Sequence, residues 1–182
     1  MTARLFFGQT ACLGRCAMRN NERCLARLAP LAATMMQNGA VEQIGAICHR
    51  FGENGSVQIL LITTRSSRRW TIPKGWPIKD LKPHRVAERE AWEEAGITGK
   101  AKKRPWGYYT YLKTLANGRK VAPVVAAHLL KVDGVHSKFP EQGERQLAWL
   151  SPTDAAARVQ EPELKGLLTS VLKKIPAESD SR

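Results

Sequence analysis

The chain has no apolar run approaching the ~20 residues that a membrane-spanning helix needs, so its sequence predicts no transmembrane segment. Acidic residues are scarce: 16 Asp and Glu stand against 29 Lys and Arg, a formal net charge of +13. A field of that sign draws in anions, so the partners it admits are phosphorylated small molecules, nucleic acid and anionic membrane surfaces. The plainer reading, a basic surface that only maintains solubility, stays open on charge alone. There are only four cysteines, Cys12, Cys16, Cys24 and Cys48, and their spacing is not that of a zinc knuckle. His49, His84, His128 and His136 are scattered, and none forms an i, i+4 pair. Reduced thiols in a cytoplasmic protein are the expectation. Internal repeats and low-complexity linkers are absent as well.

What is present is ordinary globular material: 182 residues, 43% hydrophobic and 25% charged. A domain of ~150 residues buries about 70% of the surface its unfolded chain exposes, enough for a core without disulfide or metal staples. Residues 1–38 differ in character, with Arg4, Arg15, Arg19, Arg23 and Arg27 against the single acid Glu22. They read as a basic leader that is disordered or not translated. An organelle transit segment and a true start at Met35 or Met36 are the alternatives. The domain is expected over 39–176, with a short tail at 177–182.

Within the domain, Ile44, Ala46 and Cys48 alternate as on a half-buried strand, and Val57 to Thr63 is a short apolar run between turns. Trp70 to Gly75 reads as a short strand ended by Pro73 and Gly75. Pro83 to Ala95 reads as a helix, with Pro in its first turn and Gly96 as its C-terminal cap. Val86, Ala87, Ala91 and Trp92 form its core stripe. Trp106 to Leu112 and Val121 to Val132 flank Asn117-Gly118, a strong hairpin signal. A strand near 146–150, a short helix opened by Ser151-Pro152-Thr153-Asp154 and a last helix over 163–174 complete the reading. Mixed strands with a few helices fit a sheet covered on both faces.

The chemistry concentrates on the first helix. At ~100° per residue, Glu90, Glu93 and Glu94 share an arc of about 100°. Like charges so spaced weaken a helix by a few tenths of a kcal/mol. Arg89 can pair with Glu93 one turn on and offset part of that. A divalent cation offsets it better, because Mg²⁺ prefers carboxylate oxygens and completes its shell with water and substrate phosphate. In isolation such a cluster is a solvated acidic face. It is not isolated here, because Gly75 lies fourteen residues before Arg89, after a strand and before the helix.

Gly75, Arg89, Glu90, Glu93, Glu94, Gly96 and Ile97 match the Nudix box, G-x5-E-x7-R-E-U-x-E-E-x-G-U with U apolar. At average residue frequencies such a match arises about once in ten million placements. The chain resembles a Nudix hydrolase over roughly residues 41–160. It departs at one position: the box has Glu six residues after its first Gly, and Leu81 stands there. Either the adjacent Asp80 substitutes for that Glu, or this is a non-acidic variant. The resemblance implies an α/β Nudix fold, a mixed β-sheet sandwiched between helices, and hydrolysis of a diphosphate linkage with Mg²⁺ or Mn²⁺. It implies Glu90 and Glu94 as metal ligands with the carbonyl of Gly75 nearby. Glu93 would hold or deprotonate the attacking water, and Arg89 would orient the helix carboxylates.

The flanks Arg69 to Pro77, Trp106-Gly-Tyr-Tyr109 and Phe139-Pro-Glu141 with Arg145 and Trp149-Leu150 are similar to the diphosphoinositol polyphosphate phosphohydrolases, a group that also cleaves diadenosine polyphosphates. A phosphate-rich small anion is therefore the expected substrate, bound by Arg65, Arg69 and Lys74, since Arg forks and Lys points suit dense phosphate. Arg68, Lys79 and Arg85 lie close by in sequence. Glu141 or Glu144 is a candidate extra ligand or base, although each read alone is an exposed loop carboxylate. Tyr108, Tyr109 and Tyr111 are candidates for base stacking or for strand core. The rival readings are a nucleoside triphosphate or RNA 5′-end pyrophosphohydrolase, and a non-catalytic Nudix domain binding a phosphorylated ligand or nucleic acid. Nucleic acid is not the favoured partner, because the sequence carries no separate RNA-binding motif. It does not disclose an oligomeric state.

Overall fold

A computed structural model describes residues 41–175. The leader, with Cys12, Cys16 and Cys24, and the C-terminal tail lie outside the described residues. Two long strands form the centre of the sheet, β1 (Val41–Phe51) and β9 (Pro123–Val135). They run parallel, with Val41 opposite Pro123 and His49 opposite Lys131. β2 (Val57–Thr63) returns antiparallel to β1 after the Gly52–Gly55 turn, and β10 (Leu147–Leu150) adds outside it. On the other side β5 (Ile97–Ala101) closes the sheet against β9. Three short strands join this frame: β3 (Trp70–Thr71) on β2, β4 (Lys74–Gly75) on β1 and β6 (Gly107–Thr110) on β9. Beyond β6 the hairpin continues as a separate ribbon, β7 (Lys113–Thr114) with β8 (Lys120–Val121), turning at Gly118 as the Asn-Gly pair predicts.

Period-two patterning divides the core between the two faces of the sheet. Ile44, Ala46, Cys48, Leu60 and Ile62 face helix α1 (Pro83–Ala95), meeting Val86, Ala87, Ala91 and Ala95. Ile47, Val57, Ile59, Leu61, Val125 and Leu129 face α2 (Pro152–Arg158) and α3 (Pro162–Lys174), meeting Ala155, Leu164, Leu168 and Val171. This is the expected mixed β-sheet between helices. No helix among the described residues is long and apolar enough to cross a membrane.

α1 starts at Pro83 and ends where Gly96 adopts φ +67°, its N–H donating to the Trp92 carbonyl at 2.9 Å. Its core stripe differs from the sequence expectation at one position. Trp92 is only half-buried and meets His136 edge-on at 5.2 Å, while Ala95 and Glu94 take up the buried face. One residue after Ala91, Trp92 is turned ~100° away, onto the margin of the stripe.

His49, at the far end of β1, is buried with Nδ1 unpartnered. Burial first, then the charges of Lys102 and Lys131, lower its pKa to about 4. The unfolded chain regains an ordinary histidine and binds the proton earlier. The neutral buried state therefore contributes fully above pH ~6.5 and is lost as pH falls toward 4. Urea denaturation at pH 7.5 and pH 4.5 is expected to show a smaller acid loss in His49→Phe than in the wild type. Equal losses would remove His49 from the account.

Candidate active site

Pairing of β4 with β1 sets Gly75 opposite Ile44 and turns the end of β4 toward α1. The approach is close enough that a Cβ on Gly75 would stand 2.0 Å from Glu90 Oε1 and 2.2 Å from its Cδ. Only glycine leaves room for that carboxylate. Glu94, one turn on, is 5% exposed, and its Oε2 accepts the Lys74 backbone N–H at 2.9 Å. Its Oε1 accepts from Arg145, whose side chain is itself 6% exposed. Arg145 also donates from Nε to Glu141 Oε2 at 3.0 Å and from Nη1 to the Thr63 carbonyl at 3.1 Å. Glu93 Oε1 accepts from Arg89 Nε at 2.7 Å, and the Glu93 carbonyl takes the Glu141 N–H at 3.0 Å. The segment after β9 is thereby docked along the C-terminal end of α1.

Four carboxylates converge on this region, and three are in ion pairs. Glu93 has Arg89, while Glu94 and Glu141 share Arg145. Among the described residues Glu90 has no ion pair or hydrogen bond. Burial, then the charges of Glu94, Glu93 and Glu141, raise its pKa to about 7. Burial also raises that of Glu94, against the pull of Lys74 and Arg145.

These carboxylates and Arg145 line a cleft of about 600 Å³ together with Lys74, Lys113, Trp76 and Tyr111. Lys74 Nζ lies 5.5 Å from the centre of the Tyr111 ring, and Lys113 Nζ lies 4.8 Å from that of Trp76. Burial lowers the pKa of both lysines, opposed by the charge of Glu94. Tyr111 donates its hydroxyl hydrogen to Gln43 Oε1 at 2.7 Å.

Gly75, Glu90, Glu93, Glu94, Arg65, Arg69, Lys74 and Glu141 all line this one cleft, whereas Arg89 reaches it through Glu93. Glu144 stands outside the lining and pairs with Arg65 at 3.1 Å. Arg68, Lys79 and Arg85 do not line it either, and Arg85 pairs with Glu88. Asp80 and Leu81 are both exposed, on a turn where Leu81 N–H donates to the Ile78 carbonyl, and neither lines the cleft. Of the tyrosines, Tyr109 is core, Tyr108 is exposed and Tyr111 faces the cleft. Sequence reasoning assigned no site role to Arg145, Trp76 or Lys113. Trp76 had a signal in its place directly after Gly75, and Arg145 had one in the flank that resembles the phosphohydrolase group, but Lys113 had none, because the fold alone brings it here.

No three His, Cys, Asp or Glu side chains among the described residues stand ready to hold an ion. The donor set still fits a hard divalent cation: an unpaired, largely buried carboxylate, a second one anchored beside it, and a glycine whose missing side chain leaves them room.

Residues 41–170 match the model of the NUDIX domain, and the chain belongs to that family. It is a pyrophosphohydrolase of the Nudix type, an enzyme acting on phosphoric anhydrides. Nudix hydrolase 21, chloroplastic, of Arabidopsis thaliana is 25% identical over 142 residues, covering 75% of this chain and 68% of that protein. Among solved structures, an Ap4A hydrolase binary complex from C. elegans superposes with a TM-score of 0.55 at 22% identity, over 73% of this chain and 96% of that one. A NUDIX hydrolase from Nitrosomonas europaea gives a TM-score of 0.56 at 14% identity, over 74% and 89%. At these identities the two structures show a shared fold.

Proposed function

We propose that this enzyme hydrolyses a diphosphate linkage within a compact polyanion, either a dinucleoside polyphosphate or a diphosphoinositol polyphosphate, with Mg²⁺ or Mn²⁺ as its cofactor. The observation that carries this is the lining of one cleft by both kinds of group: Glu90, without an ion pair, and the cations Lys74 and Lys113, each beside an aromatic ring. Glu90 and Glu94 would hold the cation with help from the Gly75 carbonyl. When bound, it supplies charge neutralisation and Lewis acidity at the diphosphate.

The chain's own residues do the rest. Lys74, Lys113, Arg65 and Arg69 bind phosphate oxygens and orient the anhydride. Glu93, fixed by Arg89, takes a proton from the attacking water. The water oxygen forms the new bond to phosphorus, the anhydride P–O bond breaks, and the departing phosphate keeps that electron pair. A carboxylate base of this kind contributes typically 10²–10⁴-fold. The fold shared with an Ap4A hydrolase makes diadenosine tetraphosphate the first substrate to try.

The test is product release from diadenosine polyphosphates, diphosphoinositol polyphosphate, nucleoside triphosphates, ADP-ribose and 5′-triphosphate RNA, each with Mg²⁺, with Mn²⁺ and with chelator. Cleavage of one of the first two that chelator abolishes is expected. Preference for triphosphate RNA or nucleoside triphosphates would overturn the substrate class. Binding without cleavage of any compound would overturn catalysis.

A further inference from the structure

The site has a buried cation that the reaction as described does not use. Arg145 comes from the turn before β10, far in sequence from α1, yet its guanidinium is almost wholly enclosed. It donates in three directions: to Glu94 Oε1, to Glu141 Oε2 and to the Thr63 carbonyl at the end of β2. The Lys74 backbone N–H meets the other oxygen of Glu94. Both oxygens of Glu94 are therefore fixed, one from each side of the cleft floor, while Glu90 beside it is held by no partner. The turn where a box glutamate is expected contributes nothing polar to this arrangement, since Asp80 and Leu81 lie exposed outside the lining.

We propose that Arg145 is the positioning residue of the metal site: its guanidinium, braced on Thr63 and Glu141, sets the Glu94 carboxylate in the orientation that receives the cation. This rests on the reading of Glu90 and Glu94 as ligands. Each carboxylate oxygen has two lone pairs, so a hydrogen bond to one leaves the other available. The demand is geometric as well as electrostatic. A planar fork can serve two carboxylates and a carbonyl at once, whereas a lysine ammonium is a point on a flexible stem. Partners that orient a ligating group typically change metal affinity by about 10–100-fold when lost. Arg145 also offsets one unit of the cluster's negative charge, shared between Glu94 and Glu141, from its place in the lining of the cleft. Glu90 is left as the carboxylate with no ion pair or hydrogen bond among the described residues, with only the more distant charge of Lys74 in its favour.

The experiment measures Mn²⁺ binding to the full chain by electron paramagnetic resonance, without substrate, in wild type, Glu94→Gln, Arg145→Lys and Arg145→Ala. Circular dichroism establishes that each variant is folded. Arg145→Lys keeps the charge and is expected to weaken Mn²⁺ binding about 10–100-fold. Adding guanidinium at tens of millimolar is expected to restore part of the affinity in Arg145→Ala and none in Glu94→Gln. A guanidinium of merely structural importance would lower thermal stability in Arg145→Lys while the folded protein kept wild-type Mn²⁺ affinity, and that result overturns the proposal. Tighter Mn²⁺ binding in Arg145→Lys overturns it too, since Arg145 would then compete with the metal. Unchanged Mn²⁺ binding in Glu94→Gln points elsewhere: it removes the ligand reading itself. If Arg145→Ala does not fold, the Arg145→Lys affinity decides alone.

Discussion

Gly75→Ala is expected to abolish most of the turnover while leaving a folded protein. The new Cβ would stand 2.0 Å from Glu90 Oε1, far closer than a non-bonded carbon and oxygen can approach. One of two things must move. The β4 backbone is held by its pairing with β1 and by the Lys74 N–H to Glu94, so the Glu90 carboxylate yields and swings out of the floor of the cleft. A displacement of about 1 Å at a reacting site can cost ~10²-fold in rate, and loss of a metal ligand costs more. The expected signature is a fall of at least ~10²-fold in kcat together with weaker Mn²⁺ binding, with substrate still protecting Lys74 and Lys113 from chemical modification. Near-normal kcat in Gly75→Ala would show that Glu90 is not needed where it stands.

Glu93→Gln separates the base from the ligands. The side chain is half-exposed, accepts from Arg89 and faces the cleft without contributing to the core, so the substitution is expected to leave stability within about 0.5 kcal/mol. Turnover should fall by about 10²–10⁴-fold, the share a positioned general base supplies. KM should change little on the proposed reading, in which Lys74, Lys113, Arg65 and Arg69 bind the phosphate oxygens. Parallel losses in kcat and in Mn²⁺ affinity would instead make Glu93 a ligand. Unchanged kcat would require the base to come from elsewhere, with Glu141 as the nearest candidate, since its backbone is tied to Glu93.

The sequence made the frame of the molecule legible where local signals agreed with one another. α1 was readable to the residue because Pro83, the buried stripe and Gly96 each mark it independently. α2 was readable from its cap, the Ser151 hydroxyl accepting from Asp154 N–H. β5 was not, since Ile97–Ala101 carries only two apolar positions and a glycine, and its strand character comes from lying along β9. The same split runs through the site. Glu90, Glu93 and Glu94 lie on one helix, so helical geometry alone brings them together. Arg145, Lys113 and Gln43 come from three separated segments, and no spacing rule connects them. Leu81 shows the limit from the other side: the sequence made it conspicuous, yet it lies at the surface, away from the chemistry.

The parallel pairing of β1 with β9 has a consequence for how the protein is made. Strand β1 leaves the ribosome early, but its neighbour on that side is encoded far downstream, with Val41 waiting for Pro123 and His49 for Lys131. At synthesis rates of about 5–20 residues per second, the emerging chain spends several seconds with this central strand open along one edge. Such long-range pairings are also slow to form and prone to aggregate before they do. The carboxylates of α1 appear within that interval, and the arginine that balances Glu94 comes later still, after β9 is complete. Closure of the sheet and the pairing of Glu94 with its arginine are thus both late events. A truncated or stalled chain ending before residue 145 would keep the Lys74 N–H on Glu94 but would leave that carboxylate without its buried arginine.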